Sequence, residues 1–251
     1  MKPQMYSGYH AVAALLRHRP EAVLELFVQD NRAERGEERL EALCQEAERL
    51  GIKPQRARRQ ILEKHAGPQH QGVVARARPR QPGDENRLLD LLDRLDHDPF
   101  LLVLDGVTDP HNLGACLRSA DAAGVDAVLV PQRHACGLTP VACRAAVGAA
   151  ESVAYFEVGN LARVLDALRE RGVRVLGTAL TETSIAMAEA DFSGPLAVVM
   201  GAEGAGMRRL TMEKCDQLIE IPMHGEVESL NVSVATALVL YQRIWEMARS
   251  V

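Results

Sequence analysis

Six short apolar runs, each separated from the next by a stretch of helical spacing, dominate the chain beyond residue 97. They read FLLVL (100–104), AVLV (127–130), SVAYF (152–156), VRVLG (173–177), LAVVM (196–200) and QLIEI (217–221). Between and after them, helical patterns cover 113–123, 140–146, 161–171, 207–214 and 232–248. Strands apolar on both faces and alternating with helices predict a doubly covered, mostly parallel sheet in an α/β domain. The first 80 residues are patterned differently. A helical pattern at 7–17 leads to an apolar strand at 22–28 and then a second helix from about 32 to 50, with Leu40, Leu43, Ala47 and Leu50 on one stripe. Gly51 and Pro54 close that helix. A short helix near 59–65 and a strand at 72–78 complete a small α/β unit.

Between the two regimes lies RPRQPGDENR (78–87), where Pro79, Pro82 and Gly83 combine with charge in the manner of a linker. The expected organisation is a first domain over 1–79, a linker and connecting helix over 80–97, and a larger domain over 98–251. At 251 residues and 47% hydrophobic content the chain can fill such cores, although with 4% aromatics Leu, Val and Ala must do most of it. No secretory leader pattern opens the chain and no apolar run approaches the ~20 residues of a membrane span, so a soluble, cytoplasmic protein is expected. The cysteines, Cys44, Cys116, Cys136, Cys143 and Cys215, are odd in number and lack any CxxC spacing. That argues for reduced, mostly buried thiols and against zinc.

Charge divides the chain as the patterning does. Residues 1–80 carry 15 Lys+Arg against 10 Asp+Glu, the remainder 14 against 24, within an overall formal charge of -5. Lys53, Arg56, Arg58, Arg59, Lys64, Arg76, Arg78 and Arg80 form a loose basic cluster of the kind phosphate backbones attract, or a solvated surface rich in arginine. HAGPQHQG (65–72) is too broken by Gly and Pro for regular structure, and its histidines and glutamines suit either RNA edges or an ordinary loop.

Three strand ends carry unusual polar residues. After the first run, Pro110 breaks the chain and Asn112 is expected to open a helix bearing Gly114 and Arg118. Asp105, Asp109 and His111 lie there without a second ligand cluster, so no metal site is expected. After the fifth run comes GAEGAG, with Gly201, Glu203, Gly204 and Gly206. Its glycines are spaced GxxGxG, not the GxGxxG of dinucleotide sites, and a lone acid among glycines at a buried strand end suits a site. After the sixth run Pro222 stops the strand, a loop follows around Gly225, and Ser229 or Asn231 is placed to cap a long last helix.

Together these motifs resemble the SpoU branch of the SPOUT RNA ribose 2'-O-methyltransferases. The resemblance rests on Asn112, Gly114 and Arg118; on Gly201, Glu203, Gly204 and Gly206; and on Pro222, Ser229, Leu230 and Asn231, with the His70–Gln71–Gly72 triplet extending it through the first domain. It implies a trefoil-knotted, homodimeric C-terminal domain that binds S-adenosylmethionine, with Gly201, Gly206, Ile221, Pro222 and Leu230 at the cofactor. It further implies an L30e/L7Ae-like first domain holding RNA. The implied reaction is methylation of a guanosine 2'-oxygen in the peptidyl-transferase loop of 23S rRNA, free or in a ribosomal precursor particle. A tRNA ribose, or RNA binding without catalysis, is the alternative. Asn112, Arg118, Glu203, Ser229 and Asn231 would surround the reacting hydroxyl, Arg118 either taking its proton or orienting the ribose. A guanidinium that holds its proton past pH ~12 makes orientation the sounder role.

Overall fold

A computed structural model describes residues 2–30, 37–204 and 206–249. Along the chain run β1 (Gln4–Ser7), α1 (Tyr9–His18), β2 (Val23–Gln29), α2 (Glu37–Arg49), β3 (Pro54–Ala57), α3 (Arg59–Ala66) and β4 (Val73–Ala77). There follow α4 (Glu85–Leu92), β5 (Phe100–Asp105), α5 (Pro110–Ala122), β6 (Ala127–Pro131), α6 (Pro140–Ala145), α7 (Ala149–Ser152) and β7 (Ala154–Val158). The last elements are α8 (Leu161–Glu170), β8 (Arg174–Thr178), β9 (Ile185–Ala186), β10 (Leu196–Gly201), α9 (Arg209–Met212), β11 (Gln217–Glu220) and α10 (Val232–Arg249). They form two compact units, Met1–Gln81 with Leu138–Ser152, and Pro82–Gly137 with Val153–Val251.

The first unit is built on a four-stranded sheet ordered β1-β4-β2-β3, in which β3 runs parallel to β2 and the other pairings are antiparallel. Its strand at Val73–Ala77 is buried, and so are Leu43 and Ala47 of the expected α2 stripe, while Leu40 is half-buried and Leu50, just past the end of the helix, is exposed. The expected start of α2 near residue 32 lies outside the described residues. Two strands escaped the pattern: β1 reads QMYS and β3 reads PQRA, both edge strands with few apolar positions. Pro54, expected only to stop a helix, opens β3, where an edge tolerates its missing N–H. α6 and α7, which lie within the segment expected to form the larger domain, belong to this compact unit; Arg144 of α6 donates to Ser7 Oγ at 3.0 Å, and Glu151 of α7 pairs with Arg19 at 2.7 Å.

The second unit carries the expected parallel sheet, ordered β7-β6-β5-β10-β8-β11-β9 with every pairing parallel. All six predicted runs are strands of it. β5 and β10, at its centre, are buried along nearly their whole length, which is why their residues are apolar on both faces. Leu101, Val103, Ala197 and Val199 pack with Leu88 of α4 and with Leu161, Val164, Leu165 and Leu168 of α8. α10 packs against β10 and against α5. Burial pushes the Cys116 and Cys215 thiols up to about 11 and about 12, which leaves them inert as nucleophiles.

Two details depart from expectation. α5 begins at Pro110, not Asn112: Asp109 is the cap, its Oδ1 accepting from His111 N at 2.8 Å, and proline suits the first helical position because no N–H is needed there. The segment read as a linker is partly built into the second unit. Gly83 N donates to Tyr155 O at 2.9 Å and Gly83 O accepts from Glu157 N at 3.0 Å, extending the sheet beyond β7 by one residue. A Cβ at Gly83 would fall 2.4 Å from the Phe156 ring. Gly83→Val is therefore expected to lower stability by about 1–3 kcal/mol, as overpacking does; an unchanged thermal midpoint would show that the ring yields freely.

Candidate functional site

β5 lies between β6 on one side and β10 on the other, so the chain order of the sheet reverses at the β5/β10 pair. In open α/β sheets such a switch point opens a crevice beyond the carboxyl ends of the strands. Among the loops that leave the sheet at that end are those following β5, β10 and β11.

After β5, Gly106 takes a left-handed backbone (φ 91°), Asp109 caps α5, and Asn112 becomes the third residue of the helix. After β10, Ala202 and Gly206 exchange two backbone hydrogen bonds of 3.0 and 2.8 Å and close a tight loop that displays Glu203. Gly204 and Gly206 both have positive φ, which fits their glycine identity. After β11, Asn231 caps α10: its Oδ1 accepts from Ser233 N at 2.9 Å and from Ser233 Oγ at 2.6 Å.

These three loops are joined by side chains. Asn231 Nδ2 donates to Asn112 Oδ1 at 3.0 Å, and Asn112 Nδ2 donates to Glu203 Oε2 at 3.2 Å. The result is a directed relay, Ser233 to Asn231 to Asn112 to Glu203, in which each amide is held at both ends. Both asparagines have their orientation fixed by their partners, while Glu203 Oε1 makes no hydrogen bond with a described residue. An exposed polar surface of fixed geometry is suited to gripping a hydroxyl or an amide of a ligand.

The other expected site residues are placed less closely. Arg118 is exposed and without hydrogen bond or ion pair among the described residues; six residues after Asn112 on α5, it lies ~9 Å further along the helix axis. Ser229 is exposed, and Asn231, not Ser229, is the cap. Ile221 and Leu230 are half-buried at the two ends of the loop after β11, with Pro222 exposed beside the first. β8 separates β11 from β10, so Ile221 and Gly201 leave alternate strands of one sheet edge. Gly114 is buried within α5.

At Gly201 a Cβ would lie 2.4 Å from both Gly206 C and Met207 N, so the chain's own returning backbone occupies the side-chain space. Asp105, weighed from the sequence only as a metal ligand, pairs in this crevice with Arg208, which the sequence did not single out, Arg208 Nε donating to Asp105 Oδ1 at 2.6 Å. The available signal was a carboxylate directly ending a wholly apolar strand.

In the first unit, the basic cluster divides in three, Arg78 and Arg80 donating to the backbone carbonyls of Glu21 and Ala150. Arg56, Arg59 and Arg76 pair with Glu41, Glu63 and Glu25. Lys53, Arg58 and Lys64 are exposed and have no carboxylate partner among the described residues. Of the HAGPQHQG residues, His70 and Gln71 serve the fold. Buried His70 accepts from Gly72 N through Nδ1 at 3.0 Å, and Gln71 Oε1 accepts from Tyr9 N at 3.0 Å. His65 and Gln69 face solvent, His65 stacked on Phe27.

Among the described residues no group of three or more His, Cys, Asp or Glu could hold a metal ion, and no helix is long and apolar enough to cross a membrane.

Residues 99–241 match the SpoU rRNA Methylase family, and residues 7–83 match the family described as RNA 2'-O ribose methyltransferase substrate binding. The chain is 50% identical over 244 residues to the 23S rRNA (guanosine-2'-O-)-methyltransferase RlmB of Shewanella oneidensis, covering 97% of each. It is 51% identical over 242 residues to the enzyme of that name from Escherichia coli, covering 96% of this chain and 98% of the other. Among solved structures it resembles the SpoU methyltransferase AviRb from Streptomyces viridochromogenes in complex with AdoMet. There the TM-score is 0.78 at 22% identity, over 98% of this chain and 90% of that one.

Proposed function

The chain belongs to the SpoU rRNA methylase family, and from that premise we propose that it methylates the 2'-oxygen of a guanosine ribose in 23S rRNA, using S-adenosylmethionine. The observation that carries this reading is the relay from Asn231 through Asn112 to Glu203 at the sheet's switch point. It joins one residue from each of the three motifs on which the family resemblance rests.

The loops suit the cofactor by their free peptide groups. No backbone N–H or C=O of residues 222–230 hydrogen-bonds to another described residue, so that loop offers unspent donors and acceptors of the kind an adenosyl group needs. Ile221, Pro222 and Leu230 would supply its apolar walls, and Gly206 would let backbone come close. When bound, the methylsulfonium supplies the electrophilic methyl group.

What remains for the protein is placement. Asn112 and Asn231, locked by their partners, hold the ribose, and the free Oε1 of Glu203 accepts a hydrogen bond from a ribose hydroxyl. Arg118, exposed and unpaired among the described residues, is free to grip the adjoining phosphate. Ser229 completes the ring of polar groups. Cofactor binding separates this enzyme from a non-catalytic RNA-binding protein: stability should rise with S-adenosylmethionine as RT ln(1 + [L]/Kd), and a flat thermal midpoint would refute the enzyme reading.

The proposal extends to residues 1–79 as the RNA-holding, L30e-like domain, 80–97 as the link, and 98–251 as the knotted transferase domain of a cytoplasmic homodimer. Exposed Val234, Trp245 and Met247 on α10 support an apolar contact between copies. The target is placed in the peptidyl-transferase loop. Mapping ribose methylation in rRNA and tRNA from a deletion strain tests it; loss confined to tRNA would redirect the enzyme to that substrate.

RNA affinity should fall steeply with salt. Changing Lys53, Arg58 and Lys64 together to glutamine should reduce the slope of log K against log salt by about 2, at roughly 0.7 for each phosphate no longer neutralised. Arg56 and Arg59 should contribute less, because each already has a glutamate partner. Equal slopes for wild type and the triple variant would return the cluster to plain surface.

A further inference from the structure

Neither Asp105 nor Arg208 belongs to the relay, yet two of the relay's members hang from them. Asp105 ends β5 with its side chain fully enclosed (0% exposed), and the chain that leaves it reaches the Asp109 cap and then Asn112. In the strand register Asp105 is opposite Gly201, where the loop bearing Glu203 departs. That loop returns at Arg208, whose backbone N–H donates to Asp105 Oδ2 at 3.0 Å while Nε and Nη2 reach Oδ1 at 2.6 and 2.5 Å. The Glu203 loop therefore leaves the sheet beside Asp105 and is fastened to it on return, and that residue also begins the arm carrying Asn112.

A carboxylate without solvent is costly unless fully paired, and an apolar pair would fill the same volume at least as stably. What the ion pair adds is direction: with the backbone N–H on Oδ2, the guanidinium bond to Oδ1 fixes both the distance and the angle of the loop's return. On the reading of this crevice as a methyl-transfer centre, we propose that Asp105 and Arg208 are positioning residues that set the Glu203 loop against Asn112 and so keep the relay closed.

The test uses the full-length protein with saturating cofactor and an unmodified 23S rRNA transcript. Arg208→Met should lower the single-turnover rate about tenfold or more, a loss typical of misplaced groups, with cofactor and RNA affinities nearly unchanged; Arg208→Lys, which keeps the charge but lacks the planar guanidinium, should recover part of it. In a Glu203→Ala background the same Arg208→Met change should cost no more than about twofold, because the group it positions is already gone. An equal loss in both backgrounds would make the pair merely structural and overturn the proposal. A second readout is independent of activity. The Asn112 side-chain NH₂ resonance should move toward that of a solvated asparagine in Arg208→Met and Asp105→Asn, and an unmoved resonance in both would also overturn it. A wild type that methylates no RNA would instead overturn the functional reading, and the resonance would still decide the role of the pair.

Discussion

Asn112→Ala should slow single-turnover methylation by about 10²-fold or more while leaving the fold and the affinity for S-adenosylmethionine intact. Asn112 is the middle of the relay, donating to Glu203 and accepting from Asn231, so truncating it removes a ligand-facing amide and releases both neighbours at once. The fold should tolerate the loss because Asn112 lies on the first turn of α5, whose cap is Asp109 and whose buried side chains are those of Leu113, Cys116, Leu117 and Ala120. Asn231→Ala should match it in rate but also cost about 1 kcal/mol of stability, since that side chain caps α10 through Ser233 N. Equal rates for Asn112→Ala and wild type would remove the relay from the reaction.

Gly201→Val should be the most damaging single change, abolishing measurable activity and lowering stability by about 3 kcal/mol, at the upper end of overpacking costs. The branched side chain would need the space held by the backbone of Gly206 and Met207, 2.4 Å from where its Cβ must lie. Backbone cannot rotate aside as a side chain does, so the Glu203 loop must open and Arg208 must leave Asp105. Thermal melting distinguishes this from a blocked ligand site: a variant that melts with wild type yet binds no cofactor would mean that Gly201 faces the ligand after all.

The strands of the second unit were legible because burial on both faces leaves little choice of residue, and the runs from Phe100 to Gln217 each became one. Short edge strands were not legible. β9 has two residues, and β1 and β3 have too few apolar positions to show an alternation. The helix start at Pro110 was misread because a proline that interrupts a pattern and one that opens a helix look alike until the Asp109 cap is seen.

The site was legible only in pieces. Each motif marks itself locally, through glycines, a lone acid or a cap residue at a strand end. No spacing in the chain says that Asn112 and Asn231, 119 positions apart, share a hydrogen bond, or that Asp105 and Arg208 share two and an ion pair. Those pairings come from parallel strands of one sheet delivering their loops to the same edge. Gly201 shows the limit most plainly: its glycine was expected, but the neighbour that requires it is the chain itself.

The central claim, that this crevice methylates a guanosine ribose of 23S rRNA, is tested most directly by reacting the purified chain with unmodified 23S rRNA and S-adenosylmethionine carrying a labelled methyl group. Nucleoside mass spectrometry of the digested RNA should find the label as 2'-O-methylguanosine at a single position, approaching one per molecule, and about 10²-fold slower with Asn231→Ala. Label on a base, label at no position, or equal incorporation by the variant would contradict it.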